Sequence, residues 1–313
     1  MHAPFGAMST AAETTIDHAK LRELENHLGS GIRGQDHVLP RVASVLRRGQ
    51  LGLRKAGRPR GSFLFLGPTG VGKTEVTIRF THFLMGPDHL FRFDMSEFQT
   101  PESVAVLLGG KIGERGTLAL AHDKHGSGTL LCDEIEKAHP RVLDILLQIL
   151  DAARVTMASG ETLDWSNFYI VLTSNIAAAD ILELQHSSFA TMERHVLTRA
   201  QQTMRPELYA RINEKLVFRR LSYDVQLEIA HLLLSAELEF LRARGMEVTA
   251  DASVLPFLVR HGFHPRLGAR PMRDAVERLI GDAVVTRLLA GGFSGARLLV
   301  AETADALQID AYA

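Results

Sequence analysis

Ser62-Phe63-Leu64-Phe65-Leu66-Gly67-Pro68-Thr69-Gly70-Val71-Gly72-Lys73-Thr74 divides into two halves. The first is a short apolar run that ends at glycine, the pattern of a buried strand. The second fits G-x-x-x-x-G-K-[ST], and the residues after it, Lys73 to Leu84, predict a helix. In such a loop the glycines let successive backbone N–H groups turn inward and cradle phosphate oxygens, and the helix N-terminus adds its dipole. Pro68, Thr69, Gly70, Val71 and Gly72 form the cradle. Lys73 would bridge the β- and γ-phosphates of ATP, and Thr74 would hold Mg²⁺. The chain has only seven lysines against 28 arginines, so a lysine at this position stands out.

A second apolar run, Thr129 to Cys132, delivers Asp133 and Glu134 at its end, 60 residues after Lys73. A carboxylate there can bind the hydrated Mg²⁺ of ATP, through water in the case of Asp133. Glu134 is placed to orient and deprotonate an attacking water. Cys132 reads as a small buried side chain. A third run, Phe168 to Thr173, ends in Thr173-Ser174-Asn175. The amide of Asn175 could hydrogen-bond the water or the γ-phosphate; the simpler alternative is a helix cap.

Working outward, Thr15 to Gln50 reads as two helices broken at Gly29-Ser30-Gly31, the second capped by Asp36. Arg47 to Arg60 reads as a basic loop, Phe91 to Asp94 as a strand, and Pro101 to Leu108 and Arg141 to Ala152 as helices. Gly109 to Gly116 is glycine-rich. Strands alternating with helices imply an α/β fold, a mainly parallel sheet with helices on both faces. After Leu221 the pattern turns helical over 223–243, 252–260 and 270–290. Arg297 to Ala301 and Ala306 to Ile309 then read as a closing pair of strands. The expected organisation is a flexible tail (1–17), an α/β nucleotide-binding domain (18–220) and a small helical lid (221–313).

Of 313 residues, 46% are apolar and 23% charged, a globular composition; Lys plus Arg is 35, Asp plus Glu 36, and the net charge is -1. That balance gives no bulk attraction to nucleic acid or an anionic membrane. One cysteine excludes an internal disulfide framework and fits a reducing compartment. No secretion signal or membrane span is expected, and the chain reads as cytoplasmic. Arg47, Arg48, Arg54, Lys55, Arg58 and Arg60 crowd six positive charges into fourteen residues. Without an aromatic for base stacking, they read as a solvated loop. His122-x-x-His125 and His261-x-x-His264 lack further ligands at metal spacing and read as packing or surface histidines.

Ile32-Arg33-Gly34-Gln35, Gly67 to Thr74, Phe93 to Glu97, Asp133 to Pro140 and Thr173-Ser174-Asn175 together resemble the Clp-type AAA+ ATPases. The resemblance is to the second ATPase module of the heat-shock disaggregases and Clp unfoldases, from about Leu21 to Ala311. It implies an AAA+ fold with a helical lid and a ring, usually a hexamer, acting on protein substrates. Ile32 and Gln35 would shape the adenine pocket. Arg205 to Asn213 is similar to the family's arginine-finger segment, with Arg211 reaching the neighbouring subunit's nucleotide. Gly268-Ala269-Arg270-Pro271 is similar to its second sensor, which sets Arg270 over the phosphates.

The chain also departs from that family. Its unfoldases carry an aromatic pore-loop residue, whereas no Phe, Tyr or Trp occurs here between Gln99 and Asp164. Ile112 is the bulky substitute, with Lys111 and Arg115 expected to add positive charge at the pore. Members that feed a barrel protease carry an Ile-Gly-Phe-like tripeptide before the finger segment. Residues 176–204 contain no glycine, so no Clp-type peptidase is expected as a partner. The chain reads as a single module, unlike the two-module disaggregases. Three functions follow: a threading remodeller of a specific protein or complex, a non-threading switch or scaffold in an assembly or secretion machine, and, least favoured, a DNA-associated ATPase.

Overall fold

The computed structural model describes residues 17–110, 114–184, 187–291, 296–301 and 305–311. The expected tail, apart from Asp17, lies outside the described residues. Helix α1 (His18–Gly31) begins at Asp17, whose side chain accepts a hydrogen bond from Lys20 N at 2.9 Å. The glycines expected to break this helix stay inside its last turns. The chain turns instead around Gly34, which sits at φ +71° with a Val225 methyl 2.8 Å from where a Cβ would stand. Helix α2 (Leu39–Gln50) has Pro40 in its first turn and no side-chain cap, so Asp36 is not its cap.

The strands β1 (Gly61–Leu66), β2 (Leu90–Asp94), β3 (Gly128–Asp133), β6 (Phe168–Ser174) and β7 (Glu214–Val217) form one parallel sheet in the order β2-β3-β6-β1-β7. Between them lie α3 (Lys73–Leu84), α4 (Ser103–Leu108), α5 (Thr117–His125), α6 (Pro140–Ala152), a hairpin of β4 (Arg154–Thr156) and β5 (Thr162–Asp164), α7 (Ala178–Glu183), α8 (Phe189–Thr203) and α9 (Pro206–Arg211). Side chains of β1 alternate between two cores. Phe63 and Phe65 pack with the side chains of α1 to α3, while Leu64 and Leu66 pack with those of α5, α6 and α8. This burial on both faces explains why β1, β3 and β6 read as unbroken apolar runs.

A third core belongs to α10 (Tyr223–Arg242), α11 (Val254–Gly262), α12 (Met272–Leu289) and a small sheet. In that sheet β9 (Ala296–Val300) pairs antiparallel with β10 (Leu307–Ala311), as the sequence suggests, and parallel with β8 (Val248–Ala250), which it does not.

The basic stretch is less free than a solvated loop. Arg47 lies on α2 and donates to Leu21 O at 2.9 Å, Arg54 donates to Arg58 O at 2.7 Å, and Arg58 donates to Leu150 O at 2.8 Å. The histidine pairs have packing partners. His122 stacks on Phe168 and meets Trp165 edge-on, His125 stacks on His89 at 4.1 Å, and His261 bonds Phe257 O at 2.9 Å. Among the described residues no group of three or more His, Cys, Asp or Glu could hold a metal ion, and no helix is long and apolar enough to cross a membrane.

Candidate active site

The parallel register brings Gly67, Asp133 and Asn175 to one end of the sheet. Leu66 lies opposite Ser174, and Cys132 opposite Leu172. Ligands of open parallel sheets bind outside these carboxyl ends. The loop after β1 holds Gly70 at φ +73° and Gly72 at φ +107°, conformations that favour glycine, and Gly72 is the N-cap of α3. Lys73 is 8% exposed, and its Nζ donates to Gly67 O, to Pro68 O at 2.8 Å and to Asn175 Oδ1 at 3.0 Å. Burial lowers its pKa from 10.5 to about 8, against the opposing pull of Glu136, Asp133 and Glu134. A buried ammonium on carbonyl oxygens, in a loop of turned-in glycines, fits an anionic phosphate chain.

Asp133 ends β3 and is 5% exposed. Its Oδ1 accepts from Thr173 Oγ1 at 2.9 Å and from Thr74 Oγ1 at 3.3 Å, while Arg92 meets its Oδ2 through Nε and Nη2, both at 2.7 Å. One carboxylate beside one hydroxyl suits Mg²⁺, which keeps several waters and needs no all-protein cage. Directly after it, Glu134 adopts φ 57°, ψ 53°, a left-handed conformation that costs about 1–3 kcal/mol in a non-glycine residue. Thr173 Oγ1 accepts from Glu134 N at 3.1 Å and so secures the turn while donating to Asp133. The Glu134 carboxylate is held on both sides, accepting from Asn175 Nδ2 at 3.1 Å and pairing with Lys137. Asn175 is therefore a polar link between Lys73 and Glu134, not a helix cap; its N–H donates to Glu136 Oε1 at 3.0 Å. Cys132 is buried, and burial pushes its thiol pKa up.

Arg92, Thr173, Lys137 and Glu136 escaped the sequence reading. Arg92 alone carries a signal, a cation between Phe91 and Phe93 on an apolar strand. Thr173 looks like any β-branched strand residue until the register sets it beside Asp133.

Ile32 and Gln35 flank the loop. Ile32 shares a core with Val71, and Gln35 is fully buried. Gln35 Nε2 donates to Arg219 O at 3.0 Å and Val71 O at 3.3 Å, and its Oε1 accepts from Arg219 N at 3.0 Å. It stitches the loop to the chain after β7. From the other side Ala269 N donates to Gly70 O at 3.1 Å, and a Cβ on Gly70 would lie 1.9 Å from Leu267 O. Arg270 follows that contact directly and is exposed.

Arg211 is elsewhere. Phe63 pairs with Glu214, so Arg211 lies level with the start of β1, roughly 20 Å of strand away from Gly67. Its Nε meets Asp151 Oδ1 at 3.0 Å. Nearby Arg205 has its Nε on Glu207 at 2.7 Å and its Nη1 on Asp144 at 2.6 Å. Ile112 and Lys111 lie outside the described residues. Arg115 does not add free charge as expected, because it pairs with Asp123 at 2.6 Å and Glu161 at 3.3 Å.

Two family descriptions match the chain. "AAA domain (Cdc48 subfamily)" covers residues 58–215, and "C-terminal, D2-small domain, of ClpB protein" covers 221–300. Chaperone protein ClpB of Meiothermus ruber is 39% identical over 293 residues, 91% of this chain and 34% of the relative. Chaperone protein ClpB 1 of Nostoc sp. strain PCC 7120 is 37% identical over 285 residues, 88% of this chain and 32% of the relative. A protein of Cyanidium caldarium named ATP-dependent Clp protease ATP-binding subunit ClpA homolog is 36% identical over 299 residues, 89% and 35% respectively. The chain thus spans about a third of the length of these relatives.

Proposed function

The chain belongs to the Clp-type AAA+ ATPases, and from that premise we propose that it assembles into a ring, a hexamer, whose ATP hydrolysis remodels or unfolds a specific protein or protein complex. One observation carries this proposal: five groups suited to ATP chemistry converge at one end of the sheet, while Arg211 stands at the opposite end. A guanidinium roughly 20 Å of strand from its own loop is out of reach of the phosphates bound there, so as a finger it would serve another copy's. Arginine fingers of this kind are worth ~10³–10⁵ in rate.

In this mechanism the turned-in amides of Pro68 to Gly72 and the Lys73 ammonium bind the phosphates. Lys73 exchanges its carbonyl partners for phosphate oxygens. Thr74 and Asp133 hold Mg²⁺, which when bound neutralises phosphate charge. Asn175 positions the Glu134 carboxylate, which takes a proton from the attacking water. Arg270, on the lid segment bonded to Gly70, approaches the same phosphates, and Ile32 and Gln35 bound the adenine side. The division into an N-terminal tail (1–17), a nucleotide-binding domain (18–220) and a lid (221–313) belongs to the same proposal.

Protein remodelling is supported by the relatives named as ClpB chaperones, though each is about three times longer than this chain. The absence of glycine from 176–204 supports independence from a Clp-type peptidase. The single buried cysteine supports a cytoplasmic setting, and the balanced charge speaks against nucleic acid and membrane partners. The lack of any aromatic residue between Gln99 and Asp164 favours a second reading, an ATP-dependent switch or scaffold that does not thread its partner. Steady-state ATPase activity against protein concentration, with and without an unfolded model protein, tests both. Activity that rises with concentration and is stimulated by unfolded chain in wild type but not in Ile112→Ala supports threading. Concentration dependence without stimulation supports the switch, and a concentration-independent rate refutes the ring.

A further inference from the structure

At the end of the sheet opposite the loop lies a cavity of about 410 Å³ lined by Arg48, Arg54, Lys55, Arg58, Arg60 and Arg211, with no carboxylate among its lining residues. Two of these cations are engaged by the fold. Arg54 Nη1 donates to Arg58 O and Ser166 O, and Arg58 donates to Leu150 O and pairs with Asp151 at 3.0 Å. Asp151 also meets Arg211, whose Nε lies 3.0 Å from its Oδ1. Among the described residues the side chains of Arg48, Lys55 and Arg60 have no acceptor and no carboxylate partner. Arg60 is only partly exposed, and burial together with the nearby Arg54 charge lowers its pKa. Six cations thus surround one concave surface with no carboxylate in its lining. Such a surface focuses field on an incoming anion.

We propose that this cavity is a phosphate-chain site in which Arg60, Arg48 and Lys55 act beside Arg211. Guanidinium forks match phosphate oxygens bidentately, and the adjoining ammonium adds a movable point charge. The phosphate chain can come from the nucleotide of an adjacent copy or from free polyphosphate. The first source rests on Arg211 serving that copy; the second does not.

The two arms of the test separate these sources. In the first, inorganic tripolyphosphate is titrated calorimetrically into the Lys73→Ala chain, whose own loop is silenced, at low protein concentration. Saturable binding, weakened about 10-fold or more by adding Arg60→Ser or the exposed Lys55→Ser and weakened by salt, establishes the site for a free chain. In the second, the ATPase activity of Arg60→Ser is measured against protein concentration. A loss of turnover of about 10-fold, with the affinity of each chain for a fluorescent ATP analogue unchanged, assigns the site to the adjacent copy's nucleotide. If tripolyphosphate does not bind and neither substitution alters turnover, the site is refuted. If Arg211→Ala abolishes turnover while Arg60→Ser and Lys55→Ser change nothing, the cavity fails and the finger stands. If Arg211→Ala is harmless but Arg60→Ser removes tripolyphosphate binding, the finger fails and the cavity stands.

Discussion

Lys73→Met should relieve a strain that burial of the ammonium puts on the fold. The ammonium is buried beneath the loop, and its pKa falls from 10.5 to about 8. Below pH 8 both folded and unfolded chains hold the proton, and the charged form is ~3 kcal/mol less favourable in the folded chain. Between pH 8 and 10.5 the folded chain releases the proton first, so this penalty fades as pH rises. From pH 7 to pH 9 the stability difference between Lys73→Met and wild type should therefore shift by ~1.3 kcal/mol in favour of wild type. Every other group titrates in both proteins, so the difference isolates this side chain. Urea unfolding without nucleotide, followed by the fluorescence of Trp165, the only tryptophan and fully buried, gives the measurement. Adding Mg²⁺ and ATP at pH 7 should stabilise wild type but not the variant, since only wild type gains a ligand. A difference that stays flat or moves the other way with pH would refute a buried, charge-strained Lys73.

Glu134→Gln should bind ATP with near-normal affinity yet hydrolyse it at least ~10²-fold more slowly, because the amide still accepts from Asn175 but cannot take a proton. Near-normal turnover would remove Glu134 from its role. Arg211→Ala and Lys73→Met should each be nearly inactive alone, and mixing them should restore part of the ATPase activity by pairing an intact loop with an intact arginine. A mixture no faster than its components would place Arg211 outside the chemistry. Gly70→Ala should weaken nucleotide binding and lower the melting temperature together, since the new methyl would stand 1.9 Å from Leu267 O; unchanged melting would mean the lid does not rest on the loop.

Much of this architecture was legible because β1, β3 and β6 are buried on both faces, and continuous apolar runs ending at Gly67, Asp133 and Asn175 announce both strand and site. What escaped was short or polar. Glu214-Lys215-Leu216-Val217 looks half charged because it is an edge strand. Within β7, Glu214 is held by Arg41 from α2, at 2.6 Å. The break between α1 and α2 was misplaced because glycine count suggested Gly29 to Gly31. The decisive feature is a tertiary one, the close approach of Val225 to Gly34. Similarly, the partners of Asp133 and Glu134 depend on register. Arg92 and Thr173 come from the strands on either side, and no local spacing relates them to the carboxylates they hold.

The separation of Arg211 from Gly67 along β1 has a consequence for how copies can meet. If Arg211 serves another copy's phosphates, as proposed, each chain carries half of one hydrolytic centre at one end of its sheet and half of another at the far end. Copies can match these halves head to tail, or in a two-fold pair only if one surface carries both halves, so that loop meets arginine twice across the axis. An open head-to-tail stack would leave an orphaned half at each extremity. Among head-to-tail arrangements, only one whose rotation closes on itself leaves every half matched. The alternative, if the rotation fails to close, is a growing filament, and the twist that each junction imposes decides between them.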